Sequence, residues 1–224
     1  MPAHTWDATV FAGLSVDGFI ARTDHDIAWL EDHPAVEHAA ARAHPDVPDF
    51  DSLLASADHM VMGRLTFQKV LEMGFWPYDP LQVIVLSSTL GDAQPHGVLV
   101  ARDFEDAVAL LDDRGARHVY VDGGRTVQSF LAAGLVTQVV VNYVPVLIGS
   151  GIPLFGALPA DLHLVHRGTA TTASGMVSTC YQVLNSRPDS PHSASIASSV
   201  PTTSGSEEGP ASTKETPCPS SSSP

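Results

Sequence analysis

Positive charge is scarce in this chain. Lysine and arginine number 11 in 224 residues, against 25 aspartates and glutamates, for a formal charge of −14. Non-specific nucleic-acid or anionic-membrane binding depends on a positive surface, so neither partner is expected. Cysteine is nearly absent. Cys180 and Cys218 are the two present, and with Cys218 in a stretch that lacks core-forming residues no disulfide framework is expected. No apolar run approaches the ~20 residues that cross a bilayer. The N-terminus has no basic segment leading into an apolar one, so no secretory signal is expected. A soluble cytoplasmic protein is the expectation. Large apolar side chains also run out from about Ser186, where 39 residues hold 13 Ser and 7 Pro. Such a segment cannot offset its conformational entropy by burial. We expect a folded domain over 1–185 and a disordered Ser/Pro-rich tail over 186–224. The tail carries −2 of the charge, which leaves −12 on the body.

What the body does contain is alternation. Apolar, β-branched runs occur at "ATVFAG" (8–13), "HMVMG" (59–63), "QVIVLSS" (82–88), "GVLVA" (97–101), "HVYVD" (118–122) and "TQVVVNYVPVLIG" (137–149). Helical patterns stand between them at "FDSLLASA" (50–57), "RLTFQKVLEMG" (64–74), "DFEDAVALLDDRG" (103–115) and "RTVQSFLAAG" (125–134). Pro34 opens a further expected helix over Ala35–Ala43. Asp103 is the expected N-cap of its helix; Gly74 and Gly115 are expected stops. The Asp17-Gly18 pair signals a turn. Residues 162–184 read as two closing strands without a helix between them. Continuous apolar strands alternating with helices imply a mostly parallel sheet covered on both faces. The closing pair implies an antiparallel C-terminal edge. The fold class is therefore α/β, and no internal repeat is present.

In open sheets of this kind ligands sit outside the carboxyl ends of the strands. Three junctions there share a chemistry: Met62-Gly63-Arg64-Leu65-Thr66, Leu86-Ser87-Ser88-Thr89 and Asp122-Gly123-Gly124-Arg125-Thr126. Gly63, Gly123 and Gly124 are expected to let backbone approach a ligand. Helix N-termini supply free N–H groups and partial positive charge. Thr66, Ser87, Ser88 and Thr126 supply hydroxyls; Arg64 and Arg125 supply guanidinium forks suited to phosphate. One such junction alone reads as tight packing or an N-cap. Three together describe a site for a ligand with more than one phosphate. The G-x-G-x-x-G fingerprint is absent; Gly149-x-Gly151 comes near it, but Pro153 follows, so that stretch reads as a loop.

The order "SVDGFIA … MGRLTF … VIVLSS … VDGGRTVQSFL … VVVNYVPVLIGSGIPLF" resembles the dihydrofolate reductase-like superfamily over about Thr9 to Leu184. It is most similar to RibD C-terminal-type reductases, which reduce a ribosylamino-pyrimidine in riboflavin synthesis. The "PVLIGSGIPLF" stretch favours that branch over a true folate enzyme. The resemblance implies a three-layer fold of that superfamily, NADPH as cofactor, a small-molecule substrate and a homodimer. It places Gly63, Arg64 and Thr66 at the cofactor phosphates, and Ser87 and Ser88 at the adenosine ribose and its 2′-phosphate. Gly123, Gly124, Arg125 and Thr126 would cradle the pyrophosphate; Ala12 and Ile20 would touch the nicotinamide.

The substrate side carries fewer signals. Hydride transfer needs orientation, exclusion of water and often a proton source. Candidates are Asp17, Trp29, Glu31, Asp32 and Asp51. Asp17 lies in the "SVDG" motif and is the expected catalytic and substrate-binding acid, or else a turn residue that caps backbone. Trp29 is the expected apolar wall of the substrate pocket, or an anchor for its loop. A folate enzyme would carry an acid on the helix after its tryptophan. Here Pro34 starts that helix, and Glu31 and Asp32 come too early. No deaminase segment is expected, so the chain reads as a reductase unit. Two other readings compete. His33, Glu37, His38 and His44 gather in sequence with Asp24, Asp26, Asp46 and Asp49, but without a ligand motif, and no metal is expected. A nucleotide-binding domain of the same fold without reductase activity is the other. The apolar "VVVNYVPVLIG" strand suits either a partner surface or a central strand covered on both faces.

Overall fold

The computed structural model describes residues 4–30 and 40–184. Ten strands and four α-helices follow in the order β1 (Asp7–Ser15), β2 (Phe19–Ala21), α1 (Phe50–Ser56), β3 (His59–Gly63), α2 (Arg64–Glu72), β4 (Gln82–Leu86), β5 (Leu99–Ala101), α3 (Phe104–Asp113), β6 (His118–Asp122), α4 (Gly124–Ala132), β7 (Val136–Val144), β8 (Ile152–Pro153), β9 (Leu164–Thr171) and β10 (Val177–Val183). Eight strands form one sheet in the order β5-β4-β3-β6-β1-β7-β10-β9. The first six of these are mutually parallel; β10 runs antiparallel to β7 and β9 to β10. The expected parallel sheet with an antiparallel C-terminal edge is what the chain builds.

Strand alternation splits the core into two layers. On one face Val10, Val61, Ile84, Val119 and Val121 meet α3 and α4 through Ala107, Leu111, Val127, Phe130 and Leu131. On the other face Met60, Met62, Val83, Val85 and Tyr120 meet α1 and α2 through Leu53, Phe67 and Val70. β7 lies between β1 and β10, and Val139, Val140, Val141 and Val144 are all buried. Its apolar run thus serves the chain's own core. Cys180 is a free, buried thiol on β10. No helix among the described residues is long and apolar enough to cross a membrane.

Two features depart from the sequence pattern. The helix expected over Ala35–Ala43 lies partly outside the described residues, and 40–43 are not helical. Arg42 instead exchanges backbone hydrogen bonds with Thr171, at 2.9 and 2.8 Å. The edge strand β9 takes Arg42 as a backbone partner, which holds this residue extended. The second feature is a two-stranded ribbon, β2 with β8. A side chain at Gly151 would meet Ala21 O at 2.3 Å, so glycine there lets the ribbon close. The tail, Cys218, and Glu31, Asp32, His33, Glu37 and His38 lie outside the described residues.

The two edges of the parallel strands are treated differently. At the amino-terminal edge Asp58 ties β3 to β6. Its carboxylate accepts the N–H groups of Arg117 and His118 and the His59 Nδ1–H at 2.7 Å. Burial pushes this carboxyl up, but the His59 bond and the two N–H groups outweigh it, and the net result lies below the usual range. A depressed carboxyl stabilises the fold above its unfolded pKa and loses that contribution as pH falls through the folded value. Asp58→Asn should therefore cost up to about 1 kcal/mol at pH 7, since solvent screens a part-exposed charge. Urea unfolding should show the gap to wild type narrowing below about pH 4; a gap of constant size would mean that the carboxylate charge is not what holds this edge.

Candidate functional site

The four α-helices start in two ways. α1 and α3 begin under aspartates: Asp49 accepts the Ser52 N–H at 2.8 Å, and Asp103 the Asp106 N–H at 2.9 Å. α2 and α4 begin at Gly63 and Gly123, and neither glycine provides a side-chain cap. Their first-turn N–H groups are left to something else. Both uncapped ends sit at the carboxyl edge, on the neighbouring strands β3 and β6, with Met62 in register with Asp122.

The glycines explain how the two ends come together. A Cβ on Gly123 would stand 2.6 Å from Thr66 Oγ1, and Gly123 has φ +88°. A Cβ on Gly63 would stand 3.3 Å from Thr126 Oγ1. Each junction's glycine thus receives the threonine hydroxyl of the other's helix. Gly124 is filled differently: its Cβ would meet Pro153 O at 3.1 Å and Ile20 Cδ1 at 3.2 Å. The space that the sequence suggested for a ligand is taken first by the chain's own groups. What this creates for a ligand is the convergence of two helix N-termini and two threonine hydroxyls, neither with a hydrogen-bond partner among the described residues.

The cations flank this point. Arg64 Nη1 donates to Gln68 Oε1 at 2.7 Å and has no carboxylate partner among the described residues. Arg125 is exposed at the second residue of α4. Ser87 and Ser88 lie farther along the edge, after β4. Ser87 Oγ accepts the N–H groups of Leu90 at 3.0 Å and Thr89 at 3.3 Å, so it shapes the loop, while Ser88 is exposed. Ala12 is buried in the α4-side core, and Ile20 of the ribbon packs on that core beside Gly124.

Asp17 is exposed and engaged. Its carboxylate accepts the N–H groups of Gly149 at 2.7 Å and Ile148 at 3.3 Å. Hydrogen bonding from Ser15 and from these N–H groups holds its carboxyl below the usual range. The turn after β1 is thereby clamped to the loop after β7, and a carboxylate so held is a poor proton donor. Trp29 is buried, and its indole N–H has no partner among the described residues. The next residue, Leu30, packs over Gly13 of β1, where a Cβ would stand 2.9 Å away.

Sequence reasoning missed Asp122. It shares a sheet face with Tyr120, whose hydroxyl donates to Phe11 O at 3.2 Å. The aromatic rings of Tyr78, Phe50 and Phe11 continue that wall. Asp122 Oδ1 accepts the Gly123 N–H at 2.7 Å. Burial pushes its carboxyl up to about 6, against smaller opposing contributions from the Gly123 N–H and Tyr120. The same surroundings push the Tyr78 and Tyr120 phenols up. Its signal was present: an acid that ends an otherwise apolar strand directly before two glycines. The described members of the acid and histidine run, by contrast, are engaged separately. Asp26 pairs with Arg22, Asp46 with His44, and Asp49 caps α1. Among the described residues no three His, Cys, Asp or Glu side chains gather as a metal would need.

This fold is that of the dihydrofolate reductase-like class. A dihydrofolate reductase from Enterococcus faecalis, solved with NADP(H) and RAB-propyl, shares it at a TM-score of 0.57 and 16% identity, over 81% of this chain and 98% of that one. The match narrows further: the RibD C-terminal domain model covers residues 8–178, and the chain belongs to that family. A putative riboflavin biosynthesis protein from Shewanella sp. PV-4 is 32% identical with a TM-score of 0.66, over 79% of this chain and 98% of that one. YwjB of Bacillus subtilis strain 168 is 27% identical over 164 residues, 71% of this chain and 88% of that protein.

The glycine–threonine exchange is open to a double-mutant cycle. Gly123→Ala should cost at least about 2 kcal/mol, from left-handed backbone and from the clash. Thr66→Ala should recover part of that loss, a coupling above about 0.5 kcal/mol in urea unfolding. Strictly additive free energies would show that the two junctions do not touch in this way.

Proposed function

We propose that this chain is an NADPH-dependent reductase that transfers hydride to a small heterocyclic or carbonyl substrate. The observation that carries the reading is the pair of uncapped helix N-termini brought together on adjacent strands. Anions bind such ends because free N–H groups and the helix dipoles act together. Here two ends, two free hydroxyls and two arginines converge in a chain otherwise dominated by acids. A pyrophosphate is the ligand that uses them all. In this reading Gly63, Arg64, Thr66, Gly123, Gly124, Arg125 and Thr126 hold the phosphates, and Ser87 and Ser88 meet the adenosine end. Ala12 and Ile20 lie toward the nicotinamide. NADPH, when bound, supplies the hydride.

In this reading the substrate site lies beside the nicotinamide. Trp29 walls it and offers its indole N–H, without a partner among the described residues, to a substrate acceptor, since a buried donor without a partner is costly. Asp17 keeps the two flanking turns in place. Asp122 gives its proton to the substrate atom made basic by hydride addition and recovers one from water. A carboxyl with a pKa near the working pH suits that role. Pairing of two copies belongs to this reading on the family resemblance.

Titration of the purified protein with NADPH and NADH, followed by tryptophan fluorescence, tests the cofactor. Saturable, NADPH-selective quenching is expected; silence with both would reject the reductase reading in favour of a binding-only domain. Asp122→Asn tests the acid. Its carboxyl is raised from 3.8 to about 6 in the fold, so the folded form keeps the proton longer than the unfolded chain and stability falls as pH rises across that window. The Asn variant should gain roughly 2 kcal/mol above pH 6 and nothing below pH 4. Turnover should drop about 10²- to 10⁴-fold and lose its decline above about pH 6. Full turnover with an unaltered pH profile would remove Asp122 from the chemistry.

A further inference from the structure

The carboxyl of Asp122 has a second polar group beside it. Alternation along β6 turns Tyr120 and Asp122 to one face of the sheet. Tyr120 is buried, at 3% exposure. Val121 of β6 is in register with Val10 of β1, so Asp122 and Phe11 are the next residues along the two strands. The Tyr120 hydroxyl reaches both. It donates to Phe11 O at 3.2 Å and also hydrogen-bonds the Asp122 carboxyl. The Phe11 contact is long for an O–H···O bond, for which about 2.7–2.8 Å is usual. Among the described residues the other donor to this carboxyl is the Gly123 N–H, at 2.7 Å.

We propose that Tyr120 is the positioning residue for the Asp122 proton: its hydroxyl rests on the Phe11 carbonyl while Asp122 is protonated and turns to the carboxylate once that proton has left. This rests on the reading of Asp122 as the acid. The step moves one proton. The Asp122 O–H bond breaks as the substrate atom takes the proton, a carboxylate remains, and Tyr120 keeps its own O–H throughout. A hydrogen bond to an ionised acceptor is about twice as strong as one to a neutral acceptor. A hydroxyl that can choose between a distant neutral carbonyl and a buried carboxylate therefore changes partner when the charge appears. Burial raises the Asp122 carboxyl, and the Gly123 N–H and Tyr120 oppose it, so loss of the hydroxyl makes the carboxylate harder to form. Tyr78 is the other titratable group that faces this carboxyl. Its ring lies 6.5 Å from that of Tyr120, and burial pushes both phenols up, so both stay neutral. Tyr78 makes no hydrogen bond to Asp122, which makes it the control.

The test reads the proton itself. The full chain is isotope-labelled at its aspartate carboxyl carbons, and the Asp122 NMR signal is identified by its loss in Asp122→Asn. Its titration is followed in wild type, Tyr120→Phe and Tyr78→Phe. Tyr120→Phe should raise the proton affinity of Asp122 roughly tenfold, and Tyr78→Phe should change it less than about twofold. Urea unfolding gives a second readout. A carboxyl raised in the fold loses stability as pH rises through its folded value. The loss in Tyr120→Phe should therefore be constant below about pH 4 and grow above about pH 6, and this growth should vanish when Asp122→Asn is already present. A tyrosine with a merely structural role would give a loss of one size at every pH and an unmoved Asp122 titration; either result overturns the proposal. Equal shifts from both tyrosine variants overturn it too, because burial alone would then set the proton affinity. Neither readout uses cofactor or substrate. If NADPH fails to bind while Tyr120→Phe shifts Asp122 as expected, the reductase reading falls and this coupling stands. A wild-type Asp122 that titrates in the ordinary carboxyl range removes the acid from both.

Discussion

The exchange of threonine hydroxyls across two glycines is the contact on which the rest of the site depends. Parallel strands β3 and β6 are neighbours, so the helices that leave them must start close together. Ordinary side chains at Gly63 and Gly123 would hold those starts apart, because a Cβ at either position meets the opposite threonine. With the glycines present, two positive helix ends point into one small region. That arrangement is unfavourable without an anion, since like partial charges face each other and first-turn N–H groups go unpaired. Among the described residues the chain has this at one place, the starts of α2 and α4. α1 and α3, away from it, are capped by aspartates in the usual way.

Much of the fold was legible because its strands are doubly covered. A strand buried on both faces must be apolar throughout, and β3, β4, β6 and β7 read as such without tertiary information. The helices were legible from apolar periodicity, and Asp103 marked the start of α3 by its position. The β2–β8 ribbon was not legible. Its paired segments are three and two residues long, and Gly151 looks like any loop glycine until Ala21 O is placed beside it. The pairing of Arg42 was hidden for the same reason, since its partner, Thr171, is 129 residues away.

The site was legible in its residues and less so in their roles. The two-glycine junction lies where the sequence pattern had it, at the carboxyl end of β6 and the start of α4. Sequence alone gave the glycines to the ligand, whereas the structure fills them with Thr66, Ile20 and Pro153 O. Asp17 was noticed as an acid in a turn, and its partners turn out to be backbone N–H groups across the loop after β7. Asp122 was read as the last residue of a strand. Only tertiary packing reveals that Tyr120 and Tyr78 lie beside it. Burial of a titratable group is a property of tertiary packing, and no local pattern reports it.

The distribution of charge gives this site its contrast. Acids dominate the chain, yet Arg64, Arg125 and Arg102 all stand at the carboxyl edge. At the opposite edge Asp58 is spent on backbone N–H groups, and Asp112 on Trp6 and His4. An acidic surface repels anions in general, so a few cations beside two helix ends form a local exception rather than a broad basic patch. Among the described residues the uncapped helix starts, the Thr66 and Thr126 hydroxyls and the Trp29 indole N–H are costs to the fold, and a group that satisfied them would return that free energy as binding.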